Sequence, residues 1–290
     1  MAIYTFNGTE NVVIDDLDIE NDLINLEGLE ASDIATVQDT PAGARITTTS
    51  GVTLTIAGFT LAELGGDDGP EANFFPFDLL LLGDSDDDYI YADSDAGSVI
   101  VGLDDEDDLY GDTGDDLILG NQDDDYITGN GGSDRLFGGQ GDDTIYAVGD
   151  FDTDEGTSTL IYGGLGEDTI YAGSYGFGPV VGSEGDYTIY GGNGSADADD
   201  EDDVINVALN EGGSALVYGN GGDDEIIING YGDAESGYGG FAYGGDVTVY
   251  GGQGDDLIVA GTPSEGPFGG FIDSAVLVGG KDGDSIVAYG

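Results

Sequence analysis

The chain has 290 residues carrying 62 Asp and Glu against three Lys and Arg, with neither cysteine nor histidine, for a formal charge of -59. That balance excludes nucleic acids and anionic membranes as partners, because each demands a cationic surface against its phosphates, and it excludes disulfides, thiolate metal sites and Cys or His nucleophiles. With 39% apolar residues and 56 glycines placed periodically, the chain departs from a solvated disordered acid, and its crowded carboxylates need a countercation to coexist.

Residues 1–65 hold few glycines and many β-branched residues. The opening MAIYTFNGTENVVIDD has neither the basic start nor the unbroken apolar run of a cleavable leader. Alternation from Ile46 to Ile56 predicts a hairpin turning near Ser50 and Gly51. The region reads as a small β-rich cap on the first coil of a downstream repeat array, covering an edge. Residues 66–82 then form a linker and a first apolar strand. Its window FFPFDLLLL, Phe74 to Leu82, is nine residues long, too short for a transmembrane segment.

From residue 83 to residue 290 a repeat takes over. Starting at Gly102 the chain reads GLDDEDDLY, GDTGDDLIL, GNQDDDYIT, GNGGSDRLF and GGQGDDTIY, in strict register. The common form is G-G-x-G-x-D-x-U-x, with U aliphatic. Nine residues cannot make a helical repeat, but they fit a Gly-rich turn of about six residues and a short strand with U pointing inward. Seventeen U positions run from Ile90 to Ile286. Two facing strands per coil bury them, giving an all-β solenoid with a core one residue deep and about eleven coils, on the order of 50 Å long at the usual strand spacing.

The turns before alternate strands divide into two sets. One opens at Gly83, Gly102, Gly120, Gly138, Gly163, Gly191, Gly219, Gly251 and Gly279 and stays short except at Gly191. The other is regular at Gly111 and Gly129, then lengthens over 147–156, 172–186, 208–213, 229–245 and 260–273. Loop insertions therefore fall on one side of the coil after about residue 146, as expected where insertions lie on the surface and the stack keeps its spacing. Glycines let the turn direct its carbonyls toward a common point, and the sixth-position Asp adds a carboxylate. All-oxygen sites of this kind suit calcium better than the tighter octahedron of magnesium. The ligand positions are Asp88, Asp107, Asp125, Asp143, Asp168, Asp224, Asp256 and Asp284 on the regular side, with Asp116 and Asp134 on the other before its column runs out near residue 140.

These nonapeptides resemble the RTX family, the hemolysin-type calcium-binding proteins, over about residues 83–290. The resemblance implies a parallel β-roll, several calcium ions, and ligation by carbonyls of the GGxGx portion, here Gly138, Gly141, Gly163, Gly166, Gly219, Gly251 and Gly254, beside the aspartates. It also implies folding outside the cell or at its surface after type I export. Three departures stand out: Tyr187 replaces aspartate in GSEGDYTIY, GGNGSADADDEDD offers Asp202 and Asp203 as substitutes, and GGKDGDSIV shifts the fourth-position glycine.

For function, the expectation is a calcium-stabilised extracellular structural protein that self-associates head to tail through its roll ends, as a filament or a surface or matrix lattice. The chain stops four residues beyond the last U position, with an uncapped final coil. Outward aromatics at Tyr91, Tyr110, Phe137, Tyr146, Tyr162, Tyr171, Tyr190, Tyr218 and Tyr250 read equally as cross-strand ladder packing or as a partner or glycan platform. An adhesion or glycan-binding module of a larger RTX protein is the alternative, and an accessory region of a carbohydrate-active enzyme a more distant one. No HExxH or GxSxG occurs and the non-repeated part is small, so the chain is not read as an enzyme.

Overall fold

The computed structural model describes residues 2–19, 22–65, 74–75, 79–93, 96–147, 157–173, 185–193, 201–209, 213–230, 242–261 and 270–289. The solenoid is present as two parallel sheets of nine strands. Each coil begins with a strand of what we term the leading sheet: Leu80–Leu82, Val99–Leu103, Leu117–Gln122, Arg135–Gln140, Ser158–Leu165, Asp186–Gly192, Ser214–Gly221, Ala242–Gln253 and Gly270–Lys281. It then turns into the trailing sheet: Tyr89–Tyr91, Asp108–Tyr110, Tyr126–Thr128, Thr144–Ala147, Thr169–Gly173, Val204–Leu209, Glu225–Gly230, Leu257–Ala260 and Ser285–Ala288. Pairing is in register with the repeat, Ile118 opposite Leu136 in one sheet and Ile127 opposite Ile145 in the other.

The roll has nine coils among the described residues rather than eleven, which shortens it to about 40 Å at the usual spacing. Period-two alternation points every U residue inward. From Ile90 to Ile258 each is at most 1% exposed, whereas Leu277 is only partly buried and Ile286 is 45% exposed at the last coil. Leu81, paired with Ile100, is the inward residue of the first coil. The core is not one residue deep throughout. In later coils Tyr187, Ala215 and Val247 on the leading strands, and Val207, Leu209 and Ile228 on the trailing ones, join the buried cluster. The roll widens along its length.

The five long connections all run from a trailing strand to the next leading strand. Most of their residues, 148–156, 174–184, 210–212, 231–241 and 262–269, lie outside the described residues, as do linker residues 66–73 and residues 194–200 after Gly191.

The N-terminal unit is β-rich. Ile3–Phe6, Leu23–Leu26 and Phe74–Phe75 form one parallel sheet, and Val12–Ile14, Thr53–Ala57, Gly43–Thr48 and Ile34–Thr40 a second. Ile46 pairs with Leu54 in the expected antiparallel hairpin, whose turn places Gly51 at φ 84°. The unit does more than cover an edge. Its core residues Phe6, Ile34, Ile46, Leu54 and Phe74 belong to one buried cluster with Leu80, Leu82, Val99, Val101 and Leu117, the outward residues of the first leading strands. It therefore sits on the outer face of the leading sheet. This explains the continuous apolar run DLLLL: Leu81 faces the roll core while Leu80 and Leu82 face the cap, so the strand is buried on both sides. Arg135, in the same outward register on the fourth leading strand, donates from Nη2 to the carbonyls of Ala31 at 2.9 Å and Ile34 at 2.7 Å.

Candidate metal sites

The turns between leading and trailing strands require backbone conformations that side chains resist. In GGQGDD the second and fourth positions, Gly139 and Gly141, stand at φ 133° and 123°, in the left-handed half of the map. Where glycine is missing the conformation survives: Leu103 and Asp105 hold φ 106° and 79° in the second coil. In GGKDGD it is Asp282, at φ 79°, that occupies the fourth position, so the displaced glycine leaves the turn geometry intact. The first glycine is needed for a different reason. A Cβ on Gly138 would meet the Asp143 carboxylate of its own turn and the Gly163 carbonyl of the next coil, and Gly163, Gly219 and Gly251 are confined in the same way by Asp168, Asp224 and Asp256. A carboxylate oxygen and a main-chain carbonyl thus converge over each of these glycines.

The sixth-position aspartates form one continuous ladder through nine coils. The backbone N–H of each donates to Oδ1 of the next: Asp88 to Asp107 at 2.8 Å, Asp107 to Asp125 at 3.0 Å, Asp125 to Asp143 at 2.8 Å, Asp143 to Asp168 at 2.9 Å. It continues from Asp168 to Asp203 at 2.9 Å, Asp203 to Asp224 at 3.0 Å, Asp224 to Asp256 at 3.2 Å and Asp256 to Asp284 at 3.3 Å. Asp203 fills the place that the sequence leaves ambiguous. Its carboxylate packs on Gly191 and it lies two residues before the inward Ile205, the signal that locates it despite the expanded turn. Asp202 stands outside this ladder and accepts from the Asp223 N–H at 2.6 Å.

The second oxygen of the ladder carboxylates carries the electrostatic problem. Oδ2 of Asp107, Asp125, Asp143 and Asp256 is buried without a hydrogen-bond partner. Burial pushes these carboxyls far above their usual range, to about 7 for Asp107 and Asp143, about 8 for Asp125 and about 6 for Asp256, against the partial relief of the ladder N–H bonds. A buried ionised carboxylate needs a cationic partner. Arg135, the one basic side chain nearby in sequence, is committed to the cap. Buried carboxylate oxygens alternating with main-chain carbonyls, with no nitrogen or sulfur, fit a hard cation of loose geometry such as calcium, which would neutralise the turn. Among the described residues no three acidic side chains converge on one point, so any such site draws mainly on carbonyls.

The opposite side differs. There Asp116 Oδ1 accepts from the Ser98 N–H at 2.6 Å and Oδ2 from the Asp112 N–H at 3.0 Å, while Asn130 Nδ2 donates to the Gly111 carbonyl at 2.8 Å. Internal donors already occupy oxygens that a cation would use. Asp116 is raised by burial to about 6, and Asp134, whose Oδ1 accepts from Asp116 at 3.1 Å, is raised well above the carboxylate range. Beyond Asp134 the equivalent positions are Thr159, Tyr187, Ala215 and Val247, paired strand to strand. Tyr187 is thus no gap in the aspartate ladder: it belongs to the other column, and it is buried in the core. Asp88 and Asp284 end the ladder less buried, with Asp88 Oδ2 accepting from the Asp84 N–H at 2.7 Å.

The outward aromatics stack along the sheets. Phe137, Tyr162, Tyr190, Tyr218 and Tyr250 form one column with ring centroids 5.3, 4.6, 4.9 and 5.1 Å apart and planes within 9°. The trailing sheet carries Tyr110, Tyr126, Tyr146 and Tyr171, with Tyr146 on Tyr171 at 4.7 Å. Ring faces in the first column are spent on one another.

No curated protein and no solved structure matches this chain. The RTX calcium-binding nonapeptide repeat matches it in four copies, at residues 101–135, 119–154, 160–174 and 241–262, on turns that carry Asp107, Asp125, Asp143, Asp168 and Asp256 of the ladder. Over residues 101–262 the chain belongs to the RTX calcium-binding nonapeptide-repeat family, a calcium-binding class that is structural rather than catalytic and typically secreted.

Proposed function

We propose that the protein is a calcium-stabilised extracellular structural module, exported by a type I system, in which residues 1–65 are a cap, 66–82 a linker and first strand, and 83–290 the roll. The observation that carries this reading is the unbroken aspartate ladder with orphaned buried oxygens at Asp107, Asp125, Asp143 and Asp256. The ligands are the ladder aspartates Asp88, Asp107, Asp125, Asp143, Asp168, Asp203, Asp224, Asp256 and Asp284, with carbonyls of Gly138, Gly141, Gly163, Gly166, Gly219, Gly251 and Gly254. Asp116, with internal donors on both oxygens, and Asp88, whose Oδ2 accepts from the Asp84 N–H, are weaker sites, and Asp134 stands with Asp116 in the short opposite column. Neutralisation and folding are then one event, because without a cation the turns repel and the narrow proximal core cannot compensate.

The roll ends are the place for self-association into a filament or lattice. Among the described residues the strands Gly270–Lys281 and Ser285–Ala288 each pair on one side, and they carry Val276 at 51% and Ile286 at 45% exposure. Adhesion to a glycan finds less support, because the Tyr162 to Tyr250 rings stack on one another rather than present open faces. Electron microscopy and solution mass with calcium and after chelation test the proposal. Ordered rods in calcium that expand on chelation are expected, with assemblies growing at the roll ends. A chain whose circular dichroism and hydrodynamic radius ignore calcium refutes the module, and a monomer at all concentrations refutes assembly.

A further inference from the structure

The cap footprint coincides with one stretch of the roll. It covers leading strands Leu80–Leu82, Val99–Leu103, Leu117–Gln122 and Arg135–Gln140, and the long connections begin only after this stretch. The coils beneath the cap carry Asp107, Asp125 and Asp143 of the ladder, and the two aspartates of the opposite column, Asp116 and Asp134. Here alone among the described residues both sides of the coil carry buried aspartates. Here too the core between the sheets is narrowest, since the widening residues Tyr187, Ala215 and Val247 come later.

The cap in turn lacks a complete core of its own. Its buried cluster is closed by Leu80, Leu82, Val99, Val101 and Leu117, and Leu103 and Phe137 pack against it from the side. Leu103 does so from φ 106°, a conformation costly for a bulky residue and one that the cap contact helps to hold. Arg135 adds a polar tie, its guanidinium reaching two cap carbonyls more than a hundred residues away in sequence.

We propose that the N-terminal cap is a calcium-dependent lateral clamp, seated on the leading sheet only while the first four coils are folded, with Arg135 as its latch. Withdrawal of calcium removes the floor on which Phe6, Ile34, Leu54 and Phe74 are packed, so the cap loosens together with coils one to four. This rests on the calcium reading of the ladder, yet fails separately from it. Hydrogen exchange on the full chain, in calcium chloride and after chelation, follows both through peptides from residues 34–57 of the cap and 99–147 of the roll. The expected result is at least about tenfold faster exchange of both on chelation. In calcium, Arg135→Met should speed exchange of the cap peptides alone by about tenfold, while 204–260 keeps its protection. A roll that opens on chelation beneath a cap that stays protected overturns the clamp and leaves the calcium reading standing. A roll indifferent to calcium overturns both. Loss of protection throughout the roll in Arg135→Met also overturns the clamp, because Arg135 would then hold the sheet rather than the cap.

Discussion

Asp143→Asn separates the two tasks of a ladder aspartate. The amide keeps an oxygen where Oδ1 accepts the Asp125 N–H at 2.8 Å, and replaces only the orphaned Oδ2. The Asp143 carboxyl is pushed from 3.8 to about 7, so above pH 8 its ionised form costs the calcium-free fold roughly 4 kcal/mol at most. Asparagine removes that cost, so in chelator the variant is more stable than the parent by up to roughly 4 kcal/mol. In calcium the order reverses, because a neutral amide cannot balance a divalent charge. Asp143→Ala loses the acceptor as well and leaves the Asp125 N–H buried and unpaired, a further cost of about 1–3 kcal/mol in both conditions. Urea unfolding at pH 8, followed by circular dichroism and tyrosine fluorescence, reads all three chains with and without calcium. If the effect of asparagine is the same in chelator and in calcium, no cation reads the charge of Asp143 and the cation assignment is wrong.

Acidity should act in opposite senses on the two states. The folded-state values of Asp107, Asp125, Asp143 and Asp256, about 6 to 8, lie above the unfolded 3.8, so calcium-free stability is full below about pH 4 and is lost as pH rises through 6 to 8. Resin-stripped protein should therefore be more ordered by circular dichroism at pH 5 than at pH 8, whereas the calcium form should weaken on acidification; unfolding of the stripped protein in acid would contradict this. Gly138→Ala places a Cβ 2.7 Å from Asp143 Cγ and against the Gly163 carbonyl, which cannot swing aside. A cost of about 1–3 kcal/mol and a reduced calcium stoichiometry by calorimetry are expected. Ile145→Ala opens a cavity in a fully buried position and should cost about 2–5 kcal/mol by urea unfolding in calcium, without altering affinity at distant turns.

By itself the sequence determined the register of the roll, its inward residues from Ile90 to Ile258, and the side on which connections lengthen. All three follow from local rules: a period of two along a strand, positive φ at turn glycines, and a carboxylate at a fixed offset from the inward residue. The aspartate ladder was legible for the same reason, but at Asp203 the expanded turn after Gly191 breaks the count from the glycine and leaves only the two-residue offset before Ile205. The tertiary structure alone decided what depends on distant elements meeting. The cap's seat on the outer face joins Arg135 to Ala31 and Ile34, and makes Leu80 and Leu82 core residues of a different cluster from Leu81. The number of coils, the widening of the core at Tyr187, and the contrast between the orphaned Asp143 oxygen and the satisfied Asp116 oxygens belong to the same class. A nonapeptide specifies its own turn, but which donors reach a buried carboxylate is set by the neighbouring coil and by whatever the chain folds against it.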